Sequence, residues 1–285
     1  MRLVFIHGMR QEGKDPEQLR ASWETALSGA WSALGLPLPR YELEMPFYGD
    51  ELEKLTNAVR GGAANVVARG GGGVAFTPLE EEMIRGMAEK AQVADQEVRR
   101  ELGAEVVARG PANWEWVQAL ARLLEKKAPP LSGVVLRYVS QVDAYLTRDH
   151  IRAAVDAIVK PALNKGPTVV VAHSLGTIVS YALLRNMNNA PNVPLYVTLG
   201  SPLGIQTVQS YLKPPPLGRP GNVNFWLNGV DERDYVALVS RLDQEGFAGE
   251  VLNYTEIHNR REDAHFIEDY LADKVIAQRI HAALV

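Results

Sequence analysis

The chain contains no cysteine, and that one absence removes a disulfide framework, a thiol nucleophile, a thiolate metal site and thiol redox chemistry. It also suits the cytosol, so a cytoplasmic location is the expectation. Charge of one sign is lacking as well. Lys and Arg number 30 against 34 Asp and Glu, and the formal net charge of -4 offers no general attraction to a phosphate backbone, so no nucleic-acid partner is expected. The apolar run at the start, Leu3 to Ile6, is too short for a secretory leader, lacks a small-residue cleavage site and reads as a strand. The segment from Gly166 to Leu184 carries no formal charge and approaches the roughly 20 residues of a spanning helix. Pro167, His173, Ser174 and Gly176 interrupt it, and no transmembrane segment is expected. No Gly-Lys-Ser or Gly-Lys-Thr follows Gly70 to Gly73, which leaves that run, with Gly61 and Gly62 before it, as a flexible linker rather than a phosphate loop. No His-Glu-x-x-His or comparable cluster is present, so no metal is expected.

What is present reads as an ordinary globular chain, 46% hydrophobic and 22% charged over 285 residues, long enough for one large α/β domain or a core with an inserted subdomain. Strand patterns at 2–6, 41–46, 168–172, 195–199, 224–228 and 251–256 alternate with helical ones, including 142–163, 177–186 and 266–283. The alternation predicts the α/β class, with a mostly parallel central sheet flanked by helices. Residues 49–130 break the alternation and read as an insertion, with 1–48 and 131–285 as the core. Within it, Leu79, Met83, Ile84, Met87, Ala91, Ala94, Val98 and Leu102 recur at helical spacing along one long charged helix. That stripe suits a helical lid or cap subdomain and ordinary packing equally well.

The most informative segment is Thr168 to Leu184, an apolar strand that enters Ala172-His173-Ser174-Leu175-Gly176 and leaves as an apolar helix. Small residues two before and two after the Ser allow strand and helix to approach at a nucleophile elbow with Ser174 at its tip. Ala172 stands where Gly is usual. A Ser hydroxyl becomes a nucleophile only when a base takes its proton and a carboxylate orients that base. The tract from Phe225 to Val236 is a strand followed by an acidic loop, and it offers Asp231 and Asp234 as the acid, or as caps of a helix starting near Tyr235. His265, beyond the last candidate strand, is the candidate base, with His258 second, while His150 and His281 sit in charge-rich helical segments and read as solvated. An oxyanion needs two backbone N–H donors, for which Leu175, following the Ser, and Met9, in the loop His7-Gly8-Met9 after the first strand, are the candidates.

These pieces, with Leu199-Gly200-Ser201-Pro202-Leu203 and the tract Asp263 to Tyr270, resemble the α/β-hydrolase superfamily on its serine esterase and lipase side. The resemblance spans nearly the whole chain outside the insertion. It implies a Ser174, Asp234, His265 triad in that chain order and an eight-stranded sheet, with no metal or organic cofactor. Asp234 is favoured over Asp231 because Tyr-Val-Ala follows it where Asp-Pro-Val often follows the acid in such esterases; Tyr235 replaces the usual Pro. The implied activity is hydrolysis of a small-molecule or lipid ester, or a thioester, through an acyl-enzyme. An acyltransferase with the same triad and a noncatalytic binding protein of the same fold are the alternatives. Neither substrate nor oligomeric state can be read from the residues.

Overall fold

The computed structural model describes residues 1–67, 76–102, 114–127, 135–187, 191–212, 216–242, 246–248 and 251–285. They form two compact units, Met1–Asp50 with Ala153–Val285, and Glu51–Arg152.

Among the described residues the first unit is built on a six-stranded sheet, not the eight strands that the resemblance implies, of order β2-β1-β3-β4-β6-β8 with every pairing parallel. Its strands are β1 (Arg2–Ile6), β2 (Glu42–Glu44), β3 (Thr168–His173), β4 (Tyr196–Leu199), β6 (Trp226–Gly229) and β8 (Val251–Tyr254). The short β5 (Leu217–Gly218) and β7 (Phe247–Ala248) pair separately. β1 and β3 are buried at every position because helices cover both faces, which is why they read as unbroken apolar runs rather than alternating ones. The pairings Ile6↔Ala172, His173↔Leu199, Leu199↔Gly229 and Gly229↔Tyr254 bring the carboxyl ends of β1, β3, β4, β6 and β8 into one row. From β1 the chain moves outward to β2 and then returns to the opposite side as β3. The switch point of the sheet therefore lies between β1 and β3, where open α/β sheets form a crevice.

Helix α1 (Pro16–Ala33) starts where Asp15 accepts the Glu17 and Gln18 amides and Pro16 presets the first turn. It buries Leu19, Trp23, Leu27 and Trp31, one residue per helical turn, against the Leu3, Phe5, Val169 and Val171 face of the sheet. The same core layer takes in Tyr270 of one carboxyl-terminal helix and Ile276 and Ile280 of the other. Trp31 Nε1 donates to Ala277 O at 2.8 Å and ties the layer together. The predicted helix 266–283 is two helices, Ile267–Ala272 and Lys274–Leu284. Asp273 between them accepts the Val275 and Ile276 amides and starts the second. His281, expected in solvent, is buried, with its Nε2 2.7 Å from Pro37 O.

Helix α2 (Gly49–Val67) includes Gly61 and Gly62, so these glycines are helical rather than a linker; Ala58, Arg60, Ala63 and Ala64 around them are good helix formers. Gly70 to Gly73 lie outside the described residues. In the second unit α3 (Pro78–Lys90) opens with a capping box between Thr77 and Glu80, and α4 (Asp95–Glu101) follows it. The expected single helix over 79–102 breaks at Gln92, whose φ is 55°. Leu79, Met83, Ile84 and Met87 are fully buried, with α3 packed on α5 (Trp114–Lys127) and α6 (Val135–Thr147) of the same unit. That contact carries the unit to Arg152, past residue 130. The expected helix 142–163 is likewise divided between α6 and α7 (Asp149–Leu163). Among the described residues no helix is long and apolar enough to cross a membrane.

Helix α8 (Leu175–Asn186) leaves β3 directly. A Cβ at Gly176 would overlap the carbonyl oxygens of Ile6 and His7, so only glycine lets this helix start against the end of β1. Gly176→Ala is expected to destabilise the chain by about 3 kcal/mol, the upper range for overpacking, because backbone rather than a pliant side chain stands in the way. Urea unfolding followed by circular dichroism checks this.

Candidate active site

Ser174 sits between β3 and α8 with φ 54° and ψ -129°, a conformation that non-glycine residues rarely adopt. The turn is held from several sides. Ser174 N–H donates to Leu199 O at 3.0 Å, while the Thr177 amide and hydroxyl donate to Ser174 O at 2.9 and 2.6 Å. The side chain is buried, and its Oγ has no hydrogen-bond partner among the described residues.

His265 follows β8 on a loop and Asp234 follows β6. His265 Nδ1 lies 2.7 Å from Asp234 Oδ2, which fixes the proton on Nδ1 and leaves Nε2 as the free base position. Nε2 is buried and, like Ser174 Oγ, unpartnered among the described residues. Ser174 and His265 line one cavity of about 270 Å³. Its apolar wall comes from Met9, Leu19, Trp23, Phe266 and Ile267, and its charged groups are Arg10, Lys14, Asp263 and Glu268.

Asp234 is fully buried and carries three donors: Val236 N–H on Oδ1 at 2.8 Å, and His265 Nδ1 and the Tyr270 hydroxyl on Oδ2 at 2.7 and 2.8 Å. Burial alone would raise its pKa. The His265 ring and these hydrogen bonds outweigh burial and hold the carboxyl below its usual range, so it is ionised at neutral pH. No helix begins near Tyr235; Asp234 bonds the Val236 amide within a loop instead. Gly200, at φ 54°, floors the pair, since a Cβ there would stand 2.7 Å from Asp234 Oδ2 and 2.9 Å from His265 Nδ1.

Asp231, the other candidate acid, does not reach His265. Its carboxylate accepts the Arg233 amide at 2.8 Å, the Arg233 guanidinium at 2.6 Å and the Asn259 amide at 2.7 Å. Asn259 Nδ2 in turn donates to Ala264 O at 2.7 Å, next to His265. Asp231 thus staples the loop of the acid to the loop of the histidine. His258 and His150 are exposed.

Gly8 brings the loop after β1 against the serine, with room for no side chain: a Cβ would lie 2.6 Å from Ser174 Cβ. The Met9 and Leu175 amides donate to no acceptor among the described residues, and Leu175 opens α8 at its positive end. His7 supports the loop from beneath. Its Nδ1–H donates to Gly8 O at 2.8 Å, its Nε2 accepts Tyr48 N–H at 3.1 Å, the Tyr48 hydroxyl bonds His7 O, and the two rings stack at 4.0 Å. Burial, with a smaller push from Lys14, lowers the His7 pKa from 6.5 to about 4. His173, the residue before the serine, donates from Nε2 to His265 O at 3.0 Å and packs ring on ring at 4.3 Å. Burial, then the neighbouring His265, pulls its pKa well below the ordinary value, so it supports the site as a neutral ring. The parts played by Gly200, Asn259 and Tyr270 are not legible in the sequence, because they depend on contacts between residues far apart in the chain. Among the described residues no group of three or more His, Asp or Glu side chains could hold a metal ion.

Two outcomes are expected from this geometry. Because glycine relieves the backbone strain and alanine does not, Ser174→Gly should exceed Ser174→Ala in unfolding free energy by about 1 kcal/mol, as read by urea titration. His7 stays neutral in the folded chain down to about pH 4 while the unfolded chain protonates near 6.5. Stability therefore falls as pH drops through that window, by up to about 3 kcal/mol from this residue. His7→Gln, which keeps an acceptor for Tyr48 N–H, should lose correspondingly less stability between pH 7 and 4.5.

Comparison with family models, with curated proteins and with solved structures finds no match to this chain, so the functional reading rests on the site itself.

Proposed function

We propose that the chain is a serine hydrolase of the α/β-hydrolase type that cleaves carboxylic esters or thioesters through an acyl-enzyme on Ser174. The observation that carries this reading is the pair of buried, unpartnered atoms, Ser174 Oγ and His265 Nε2, lining one cavity while Asp234 holds the opposite nitrogen of the imidazole. Leaving a buried donor or acceptor unmade costs about 1–3 kcal/mol, and two such atoms facing one cavity are accounted for by a ligand that completes their bonding there.

In the proposed reaction Ser174 Oγ attacks the carbonyl carbon as His265 Nε2 takes the hydroxyl proton, and the developing imidazolium is stabilised by ionised Asp234. The carbonyl oxygen becomes an oxyanion and accepts the Leu175 and Met9 amides. His265 then gives its proton to the departing alcohol or thiol, leaving an ester on Ser174. Water, deprotonated by the same nitrogen, attacks that ester; as the tetrahedral adduct collapses His265 gives this proton to Ser174 Oγ, which releases the acid and restores the Ser174 hydroxyl and the neutral ring. Neutral His7 and His173 do not compete for the transferred proton, since burial keeps both pKa values low.

The test is hydrolysis of p-nitrophenyl esters from acetate to palmitate by wild type, Ser174→Ala, His265→Ala and Asp234→Asn, with folding checked by circular dichroism. Turnover should fall by about 10⁴- to 10⁶-fold in the first two variants and by about 10⁴-fold in the third. A fluorophosphonate probe should label wild type on Ser174. Undiminished hydrolysis by folded Ser174→Ala would overturn the reading.

A further inference from the structure

Tyr270 is buried in the first residues after the histidine loop, on the helix Ile267–Ala272. Its ring packs in the core layer with Ile276 and Leu227, but its hydroxyl reaches the loop after β6 at two points. It accepts Asp231 N–H at 3.0 Å and donates to Asp234 Oδ2 at 2.8 Å, the same oxygen that faces His265 Nδ1. An aromatic residue filling the core needs no hydroxyl there, and phenylalanine would fill the same space.

We propose that Tyr270 is a positioning residue that shares the charge of Asp234 and thereby sets how strongly that carboxylate favours the protonated form of the His265 ring. The inference rests on the triad reading for its catalytic consequence, although its electrostatic content can be measured without catalysis. A carboxylate oxygen that accepts a second hydrogen bond is a weaker partner for an imidazolium, because donors stabilise its charge independently of the ring. The Tyr270 proton is secure in this role. Burial first, and then the neighbouring Asp234, push the phenol pKa well above its ordinary value, so it donates across the working pH range.

The other groups facing His265 are His173 at the end of β3, Asp263 two residues upstream, and Arg10, Lys14 and Glu268 around the cavity. Asp263 Oδ1 accepts the His265 amide at 3.1 Å and holds the backbone rather than the ring. Among the described residues the hydrogen-bond donors to the Asp234 carboxylate besides His265 are the Tyr270 hydroxyl and the Val236 amide, and Val236 binds the far oxygen. Tyr270 is therefore the side chain through which the acid can be tuned without changing the acid itself.

The experiment compares wild type, Tyr270→Phe and a protein with 3-fluorotyrosine placed at position 270. The His265 ring is titrated by NMR in a Ser174→Ala background, and kcat/KM is followed against pH in the active forms. Removing the hydroxyl should move the imidazole midpoint and the acid limb of kcat/KM upward together, by about half a unit or more. The fluorinated ring, a stronger donor of nearly the same shape, should move both downward. A packing role alone would leave the midpoint unmoved in the fluorinated protein. If the midpoints of the folded variants equal that of wild type, the proposal is overturned; if Tyr270→Phe fails to fold, the fluorinated protein decides by itself. Absent ester hydrolysis with a shifted NMR midpoint would sink the hydrolase reading and leave the role of Tyr270 standing.

Discussion

The site depends on a row of parallel strand ends. Because all strands of the main sheet run the same way, their carboxyl ends lie at one edge, and each following loop delivers one group to it: Met9 from β1, Ser174 from β3, Gly200 from β4, Asp234 from β6 and His265 beyond β8. One antiparallel pairing among these would send a loop to the far edge. The alignment tolerates no extra bulk at its centre, where Gly176 lies against the Ile6 and His7 carbonyls and Gly8 against Ser174.

A second constraint is the fate of buried charge. Asp234 is fully enclosed, and a lone carboxylate there would protonate; donors on both oxygens keep it ionised. Asp231, in the same loop as Asp234 but engaged by Arg233 and Asn259, fixes the loops that hold those donors in place. The two acids that looked alike in sequence thus do different work, one oriented toward an imidazole and the other binding loop to loop. Around them three histidines hold distinct protonation patterns: His7 with its proton on Nδ1, His173 on Nε2, and His265 with Nδ1 committed to Asp234.

Much of this architecture was legible in the residues. Strands buried on both faces announce themselves as apolar runs, and the small residues around Ser174 reflect a local steric demand, so the α/β class, β1, β3 and the turn at Ser174 could be read directly, while β2 and β8, with polar residues among them, could be placed only by the alternation of strands and helices. Asp234 and His265 could be nominated by position after a strand. What could not be read depends on contacts between distant residues. Nothing near Asp231 in the chain reveals Asn259, and nothing near Tyr270 reveals Asp234. Helix breaks at Gln92 and Asp273 were hidden because apolar spacing continues across them. Gly61 and Gly62 misled in the opposite sense, since helix-forming neighbours outweigh two unfavourable residues.

The pairing of β1 with β3 joins residues such as Arg2 and Thr168, 166 positions apart. At ordinary rates of translation the second strand emerges on the order of ten seconds after the first. Through that interval β1 has α1 and β2 but lacks its central partner β3, while Glu51–Arg152, a compact unit in its own right, emerges in full. The order of synthesis therefore favours a chain in which the helical unit condenses before the main sheet is complete. The vulnerable period of the molecule thus belongs to the open edge of β1 that later takes β3.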